Sequence, residues 1–283
     1  MHEPAYVDRL VNLLDPSGNV IFNMSHDDAV ERVGSGDAAA VRGIDGQFAL
    51  LHKNGHIVRM ARSIGRPMRY FLAKRAEGPC LIVAERMDEI LTQLQQEGLA
   101  DQFHPSYTRM VPAHHITEIA LLGCPDPNPV LTRYFNPQRN VQSTDLDEIG
   151  RNYIGALADE CSRWLDRIDE DDATAPIGVL FSGGIDSGSL FLVLYHLMLK
   201  RGASPARLKA FTLSVQDEDE ESGLSPDAQQ AARFLDEVDL GMFLEVIEVP
   251  RSDLDIQATV RIIEDYKPLD VQSATMAVSL CRG

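Results

Sequence analysis

The sequence has few cysteines, and none of them are paired. Cys80, Cys124, Cys161 and Cys281 lie far apart, and no two form a CxxC pair. This spacing argues against a zinc cluster and against a disulfide framework. We therefore expect reduced thiols, most of them in the core.

Long hydrophobic runs and positive charge are also scarce. No stretch approaches the roughly 20 apolar residues that a membrane helix needs, and the start MHEP lacks the basic and apolar segments of a secretion signal. We therefore expect a cytoplasmic protein with no membrane partner. The 26 Lys and Arg against 43 Asp and Glu give a net charge of -17, which repels a phosphate backbone. Nucleic acid is accordingly not an expected partner.

The composition is that of a folded protein. The 283 residues are 44% hydrophobic and 24% charged, and this length favours two domains. A polar stretch, NPQRNVQSTD, reads as the linker, so we predict domains at 1–137 and 138–283.

The first region is predicted to be rich in β-strands that pair mostly with their neighbours, giving an antiparallel α+β layer. Asn54-Gly55 indicates a short hairpin, and GPCLIVAE a buried strand. Asp88 to Gln96 has helical spacing with Gly98 as its stop. The segments HHITEIALLG and NPVLTRYF indicate a further pair of strands.

The second region alternates strands with helices. A helix capped at Asp145 is predicted to stop at the acidic run 169–172, which we expect to be a solvated turn. Strands are predicted at 177–181, 208–215 and 242–249, and helices at 188–200, 226–237 and 253–265. This rhythm predicts a parallel, doubly wound α/β sheet with right-handed crossovers, whose ligands bind at the carboxyl ends of its strands.

One loop lies at such an end. A short apolar strand runs into SGGIDS at 182–187, and a helix follows at once. Gly183 and Gly184 lack Cβ atoms, so the backbone can turn tightly and bring its N–H groups close to an anion. The same pattern could be an ordinary turn with Ser and Asp caps. Six such residues between a strand and a long helix favour a nucleotide phosphate site.

The polar side chains of this loop suit a magnesium-bound phosphate. The hydroxyls of Ser182 and Ser187 can donate to phosphate oxygens, and the carboxylate of Asp186 suits Mg²⁺. No Gly-Lys-Ser/Thr follows, so the loop is not a Walker A motif.

The loop resembles the SGGxDS signature of the PP-loop ATP pyrophosphatases, which cleave ATP between the α and β phosphates. Collinear segments are similar to the asparagine synthetase and β-lactam synthetase family, whose N-terminal domain is a class II glutamine amidotransferase of the Ntn type. These segments are GIDGQFALL (43–51), ARSIGRPMRYF (61–71), LIVAERMDEIL (81–91), LTRYFNP (131–137), LKAFTLSV (208–215), SPDAQQAARFL (225–235) and IEDYKPLDVQSATMAVSL (263–280).

The resemblance implies a nucleotide site with ATP and Mg²⁺. Leu180 and Leu213 would contact adenine or hold it through backbone atoms. Pyrophosphate and Mg²⁺ would be held by Ser182, Gly183, Gly184, Asp186 and Ser187, with Asp186 as the metal ligand. Asp227 and Glu264 also fall on acidic positions of the family, although a helix N-terminal residue and a helix-face carboxylate are equally ordinary interpretations. The resemblance leaves the catalytic residues unassigned.

The sequence departs from the family at both ends. Glutamine-dependent members have a cysteine directly after the initiator Met, whereas this chain has His2, and Cys80 lies inside a predicted strand. We therefore expect a vestigial amidotransferase fold without glutaminase activity. A further SGxGSDE-like loop of the family would follow Gly283, so the PP-loop domain is predicted to be incomplete here, and more sequence or a completing subunit would supply the rest. A homo-oligomer is the other assembly considered.

The predicted function is that of an ATP-dependent, AMP-forming carbon–nitrogen ligase. It would adenylate a small-molecule or peptide carboxylate, release pyrophosphate and transfer the acyl group to an amine. The alternative is a non-catalytic homologue that binds a nucleotide or a partner. Other PP-loop chemistry, such as tRNA thiolation, is disfavoured by the acidic charge and by the absence of paired cysteines.

Overall fold

The computed structural model describes residues 7–122, 128–141, 143–216 and 223–282. The chain divides into two compact units, Met1–Arg139 (unit 1) and Asn140–Gly283 (unit 2). Cys124, the acidic run 217–221 and Gly283 lie outside the described residues. No described helix has both the length and the apolar character that crossing a bilayer would require.

Unit 1 is built mainly from strands. Its strands are β1 (Arg9–Asn12), β2 (Val20–Ile21), β3 (Gly46–Gln47), β4 (Ala49–Asn54), β5 (Ile57–Arg62), β6 (Arg69–Ala73), β7 (Cys80–Ala84), β8 (Arg109–Met110), β9 (His115–Ala120) and β10 (Val130–Arg133). Its helices are α1 (His26–Ser35), α2 (Ala38–Arg42) and α3 (Met87–Gln96).

These strands form two four-stranded sheets, ordered β1-β7-β6-β8 and β10-β9-β5-β4, and β2 pairs separately with β3. Every pair within the two larger sheets is antiparallel except β1 with β7, which is parallel. The expectation of an antiparallel layer therefore holds with that one exception.

Side chains of the strands point alternately to the two faces of each sheet. The result is four layers, with two sheets packed on each other and helices on both outer faces. Leu81 and Val83 of β7 face the core shared with the other sheet, where they cluster with Val58 and Met60 of β5. Their neighbour Ile82 faces the other way and packs against α3. Helices α1 and α2 cover the outer face of the β4–β5 sheet. Because β7 is buried from both sides, all five of its residues are buried.

Most of the predicted elements of unit 1 are confirmed. β4 and β5 form the hairpin, but Asn54 pairs with Ile57, so the loop is Gly55-His56 instead of Asn54-Gly55. The left-handed φ of Gly55, 56°, explains the one-residue shift, because the glycine takes the strained turn position. The strand GPCLIVAE, the helix ending before Gly98 and the β9–β10 pair are present as expected.

Unit 2 alternates helices and strands. Its helices are α4 (Leu146–Asp172), α5 (Ile185–Lys200), α6 (Pro226–Asp236), α7 (Ile256–Ile263) and α8 (Pro268–Arg282). Its strands are β11 (Ile177–Leu180), β12 (Leu208–Gln216) and β13 (Leu244–Pro250).

The three strands form one parallel sheet in the order β11-β12-β13. The order runs in one direction, so the reversal that defines a doubly wound sheet does not occur among these described strands. Val179 and Ala210 project into the core with Phe191 of α5 and Ala231 of α6. The sheet is thus buried on the face that carries α5 and α6.

The helix after the linker ends in the acidic run as predicted, but residues 169–172 are helical, so the expectation of a solvated turn there was wrong. Arg207 donates to Asp169 over 2.9 Å, and Arg167 lies 3.2 Å from a carboxylate oxygen of Glu170. These arginines compensate the clustered carboxylates, so the run stays helical.

Other helix and strand boundaries of unit 2 also differ from the predicted ones. Helix α5 begins at Ile185 instead of 188, and β13 begins at Leu244 instead of 242. Helix α7 spans a shorter range than 253–265, since Asp255 caps it and it ends at Ile263. Helix α8 was not predicted.

Candidate functional site

The SGGIDS loop leaves the carboxyl end of β11, the expected position for a ligand site. Phe181, the residue before the loop, is hydrogen bonded to the neighbouring strand: its N–H donates to the carbonyl of Phe211 over 2.8 Å. The ring of Phe181 is 2% exposed and lies edge-on to Phe191 and Phe234, with centroid distances of 5.7 and 5.6 Å. The core of unit 2 therefore fixes the point from which the loop departs.

Gly183 is required by both its conformation and its surroundings. Its φ is +71°, and a Cβ at this position would lie 2.8 Å from the backbone N and Cα of Ala231 in α6. The side-chain amide of Gln230 donates to the carbonyl of Gly183 over 3.2 Å. The loop is thus packed directly on the backbone of α6.

The two serines of the loop are joined by hydrogen bonds. The N–H of Ser182 donates to Oγ of Ser187 over 3.2 Å, and the two Oγ atoms lie 3.1 Å apart. Oγ of Ser182 also accepts from the N–H of Gly184 over 3.3 Å. The two hydroxyls that were predicted to contact phosphate therefore lie within hydrogen-bonding distance of each other.

The N-terminus of α5, which begins within this loop, is exposed. Gly184 is the N-cap and supplies no capping side chain, and Asp186 is exposed in the first turn. The N–H groups of Ile185 and Asp186 meet no acceptor among the described residues. Such N–H groups at the positive end of a helix can bind an anion.

A magnesium ion fits the donor set of this loop. The described residues hold no group of three His, Cys, Asp or Glu that could bind a metal. Mg²⁺ does not require one, since it usually takes one or two carboxylates together with water and substrate phosphates. Asp186 can supply that carboxylate next to the N–H groups.

Leu180 and Leu213 lie on one face of the sheet. Leu180 is in register with Phe211, and Leu213 follows two residues later on β12, so all three point to the same side. This face is opposite the one that packs on α5 and α6. The Leu180 side chain is 52% exposed, which leaves apolar surface beside the loop.

Two acidic residues lie outside the loop. Asp227 is exposed in the first turn of α6, two residues after the N-cap Ser225, and this position fits either interpretation. The helix-face interpretation of Glu264 was wrong. Glu264 follows the end of α7 with a left-handed φ of 52°, and its N–H donates to the carbonyl of Val260.

The comparison with known families covers the part of unit 2 that begins at the end of α4. The model of the asparagine synthase family matches residues 171–283.

Residues 171–283 are therefore similar to the asparagine synthase family. The match includes the SGGIDS loop, the parallel sheet and helices α5 to α8. A search of the curated proteins gives no match to the chain. The match does not extend to unit 1, whose relation to a glutamine amidotransferase stays a prediction.

The contacts behind the SGGIDS loop were not predicted. Gly188 faces the ring of Phe234, to which a Cβ would come within 2.6 Å, and Gly183 rests on Ala231. The sequence feature that could have indicated these contacts is the pair of small residues Ala228 and Ala231, which lie one helical turn apart in α6. That spacing allows close approach of another backbone.

Proposed function

We propose that this protein is an ATP-dependent ligase that adenylates a carboxylate, releases pyrophosphate and passes the acyl group to an amine. The SGGIDS loop carries the proposal, because it combines outward N–H groups, two hydroxyls and one carboxylate at a strand end within an asparagine synthase domain. A carboxylate is a poor electrophile because its leaving group would be oxide. Adenylation replaces that leaving group with AMP.

The loop residues would act on the departing pyrophosphate. The hydroxyls of Ser182 and Ser187 would donate to phosphate oxygens, and the first N–H groups of α5 would stabilise the charge that builds on the leaving group. Asp186 would hold Mg²⁺. When bound, the ion would neutralise phosphate charge. Leu180 and Leu213 would supply the apolar surface for adenine.

The amine is proposed to come from ammonia, a second molecule or the substrate itself, without glutamine hydrolysis. Among the described cysteines, Cys80 and Cys161 are buried and Cys281 is exposed on α8. Burial raises the pKa of the Cys80 and Cys161 thiols, which keeps them protonated and weakly nucleophilic. None has the N-terminal position that the glutaminase chemistry requires.

A non-catalytic nucleotide-binding homologue is the second candidate. It is favoured by the content of the loop itself: from Ile177 to Gly188 the chain has one carboxylate and no Lys or Arg. Such a loop can bind magnesium-bound ATP, while residues that align a carboxylate and an amine must come from elsewhere.

Pyrophosphate release separates the two candidates. The protein would be incubated with ATP, Mg²⁺, ammonium and a panel of free amino acids as carboxylates, and ATP binding would be titrated in parallel. We expect release that depends on one of the carboxylates. Binding without release for any carboxylate or amine would favour the non-catalytic homologue, and absence of both would remove the nucleotide proposal.

The role of Asp186 is tested by Asp186→Ala. We expect at least about a 100-fold loss of pyrophosphate release with an unchanged melting temperature, because the side chain is exposed. The matched control is Asp159→Ala, which removes an exposed carboxylate from α4 and should leave the rate unchanged. Equal rates for both variants would contradict the metal role.

A further inference from the structure

Unit 1 contains a cleft that the proposed ligase chemistry does not use. Its volume is about 420 Å³, within the range of small-molecule sites. It opens beside the free edge of β6, and the lining used below comprises Tyr70, Leu72, Lys74, Gln102, Arg109 and Ile119.

The edge of β6 leaves one main-chain position unpaired at this cleft. Alternate residues of a strand hydrogen bond to the same side, so Met68, Tyr70, Leu72 and Lys74 share the edge that faces β8. The carbonyl of Met68 accepts from the N–H of Val111 over 2.9 Å, and Tyr70 is in register with Arg109 of β8.

Beyond the end of β8, the side chain of Gln102 makes the hydrogen bonds that a neighbouring strand would make to this edge. Oε1 of Gln102 accepts from the N–H of Lys74 over 2.9 Å, and its Nε2 donates to the carbonyl of Lys74 over 2.8 Å. No hydrogen bond from the described residues reaches Leu72, which lies between these two paired positions. The cleft therefore presents one N–H and one carbonyl, both held in place from either side.

The charge and apolar surface of the cleft restrict the ligand further. The described lining includes the cations Lys74 and Arg109 and contains no Asp or Glu. Arg109 is exposed and makes no ion pair with a described residue. Tyr70, Leu72 and Ile119 supply apolar surface.

We infer that this cleft binds a carboxylate that carries an adjacent amide and an apolar side group, as in an N-acylated amino acid or the last residue of a peptide. The carboxylate pairs with Arg109. The amide N–H donates to the carbonyl of Leu72, and an oxygen of the ligand accepts from its N–H. The side group packs on Tyr70 and Ile119.

Calorimetric titration with N-acetyl-L-phenylalanine tests the inference. We expect a Kd of about 1 mM or tighter. The neutral analogue N-acetyl-L-phenylalaninamide and the N-methylated acid, which lacks the amide donor, should each bind about tenfold more weakly. Equal affinity of the acid and the neutral amide, or no binding of the acid, would overturn the inference.

Variants locate the binding. Arg109→Gln should weaken the acid about tenfold and leave the neutral amide unaffected. Arg133→Gln is the control, because it removes an exposed arginine of β10 outside the cleft. A melting curve establishes that both variants fold. Folded Arg109→Gln with unchanged affinity for the acid would refute the site.

A short peptide that ends in phenylalanine distinguishes the two sources of this chemistry. Tighter binding than the acetylated amino acid supports a peptide terminus, whereas weaker binding supports a free acylated amino acid. The site lies in unit 1, so its failure leaves the ATP proposal for unit 2 untouched.

Discussion

The two units differ in charge and in how their sheets are buried. Unit 1 has 14 Lys and Arg against 16 Asp and Glu, whereas unit 2 has 12 against 27, so the net charges are -2 and -15. In unit 1 the strand β7 is completely buried, whereas no residue of β13 in unit 2 is buried. The unit with the SGGIDS loop is therefore the more acidic one, and its strand β13 is less buried than β7 of unit 1.

This difference indicates how the loop can attract a phosphate. The Arg201 and Arg207 guanidiniums pair with carboxylates of α4, and Lys209 pairs with Glu245 near the amino ends of the strands. The carboxyl end carries Asp186 and Asp227 beside the loop. Backbone N–H groups and Mg²⁺ would supply favourable potential there.

The largest expected effect is a lower free energy of unfolding for unit 2, with that of unit 1 unchanged. Phe191→Ala removes a fully buried ring that lies edge-on to Phe181 and Phe243, and should destabilise unit 2 by about 3–5 kcal/mol. Trp164 is the single tryptophan and lies in α4, so its fluorescence follows unit 2 alone. Hydrogen exchange should show unit 1 unchanged; a matching loss of protection there would show that the units unfold together.

The next effect tests the packing of the loop on α6. Gly183→Ala combines a left-handed φ with a Cβ 2.8 Å from the backbone of Ala231, so we expect a loss of about 2–4 kcal/mol by Trp164 fluorescence. Gly184→Ala is the control, because its φ is -80° and its Cβ would meet only Oγ of Ser182 at 3.3 Å. That variant should cost about 1 kcal/mol or less. Similar losses in both would contradict the account of Gly183.

A third prediction assigns alkaline sensitivity to unit 1. Burial raises the pKa of Tyr134 to about 12, and its hydroxyl donates to the carbonyl of Arg62 over 2.7 Å. The folded state keeps the proton more tightly, so this contribution is complete below pH 10 and is lost as the pH rises to about 12. The loss should amount to about 2–3 kcal/mol in unit 1, measured by denaturant unfolding at several pH values.

Tyr134→Phe provides the control for that pH profile. It should cost about 1 kcal/mol at neutral pH through the lost hydrogen bond, and it should flatten the profile between pH 10 and 12. An equally steep profile in the variant would assign the alkaline loss to other groups.

The smallest effect concerns salt. Raising the ionic strength should screen the repulsion within unit 2 and stabilise it by about 1 kcal/mol, with a smaller change in unit 1. Trp164 fluorescence and hydrogen exchange read the two units separately. Equal stabilisation of both would remove charge as a distinguishing property.

Much of the fold was predictable because its signals are local. The alternation in the β4–β5 hairpin, the apolar run of β7 and the helical spacing of α3 depend on residues within one element. The same holds for the loop that joins β11 to α5. Its glycines, hydroxyls and carboxylate are consecutive, so their chemistry and their position at a strand end could be inferred together.

Other features depend on residues that are distant along the chain. Arg207 is 38 residues from Asp169, and their pairing keeps the acidic end of α4 helical. Gln230 is 47 residues from Gly183 and binds its carbonyl. No local pattern reports such pairs.

The sequence alone determined the alternation of strands and helices from β11 to α7, the phosphate-type loop and the acidic balance, because each follows from the type and spacing of neighbouring residues. Only the tertiary structure decided which backbone supports the loop, that Glu264 lies beyond the end of α7 and where Leu72 stays unpaired. Those outcomes depend on close packing and hydrogen-bond satisfaction between segments that meet only after folding.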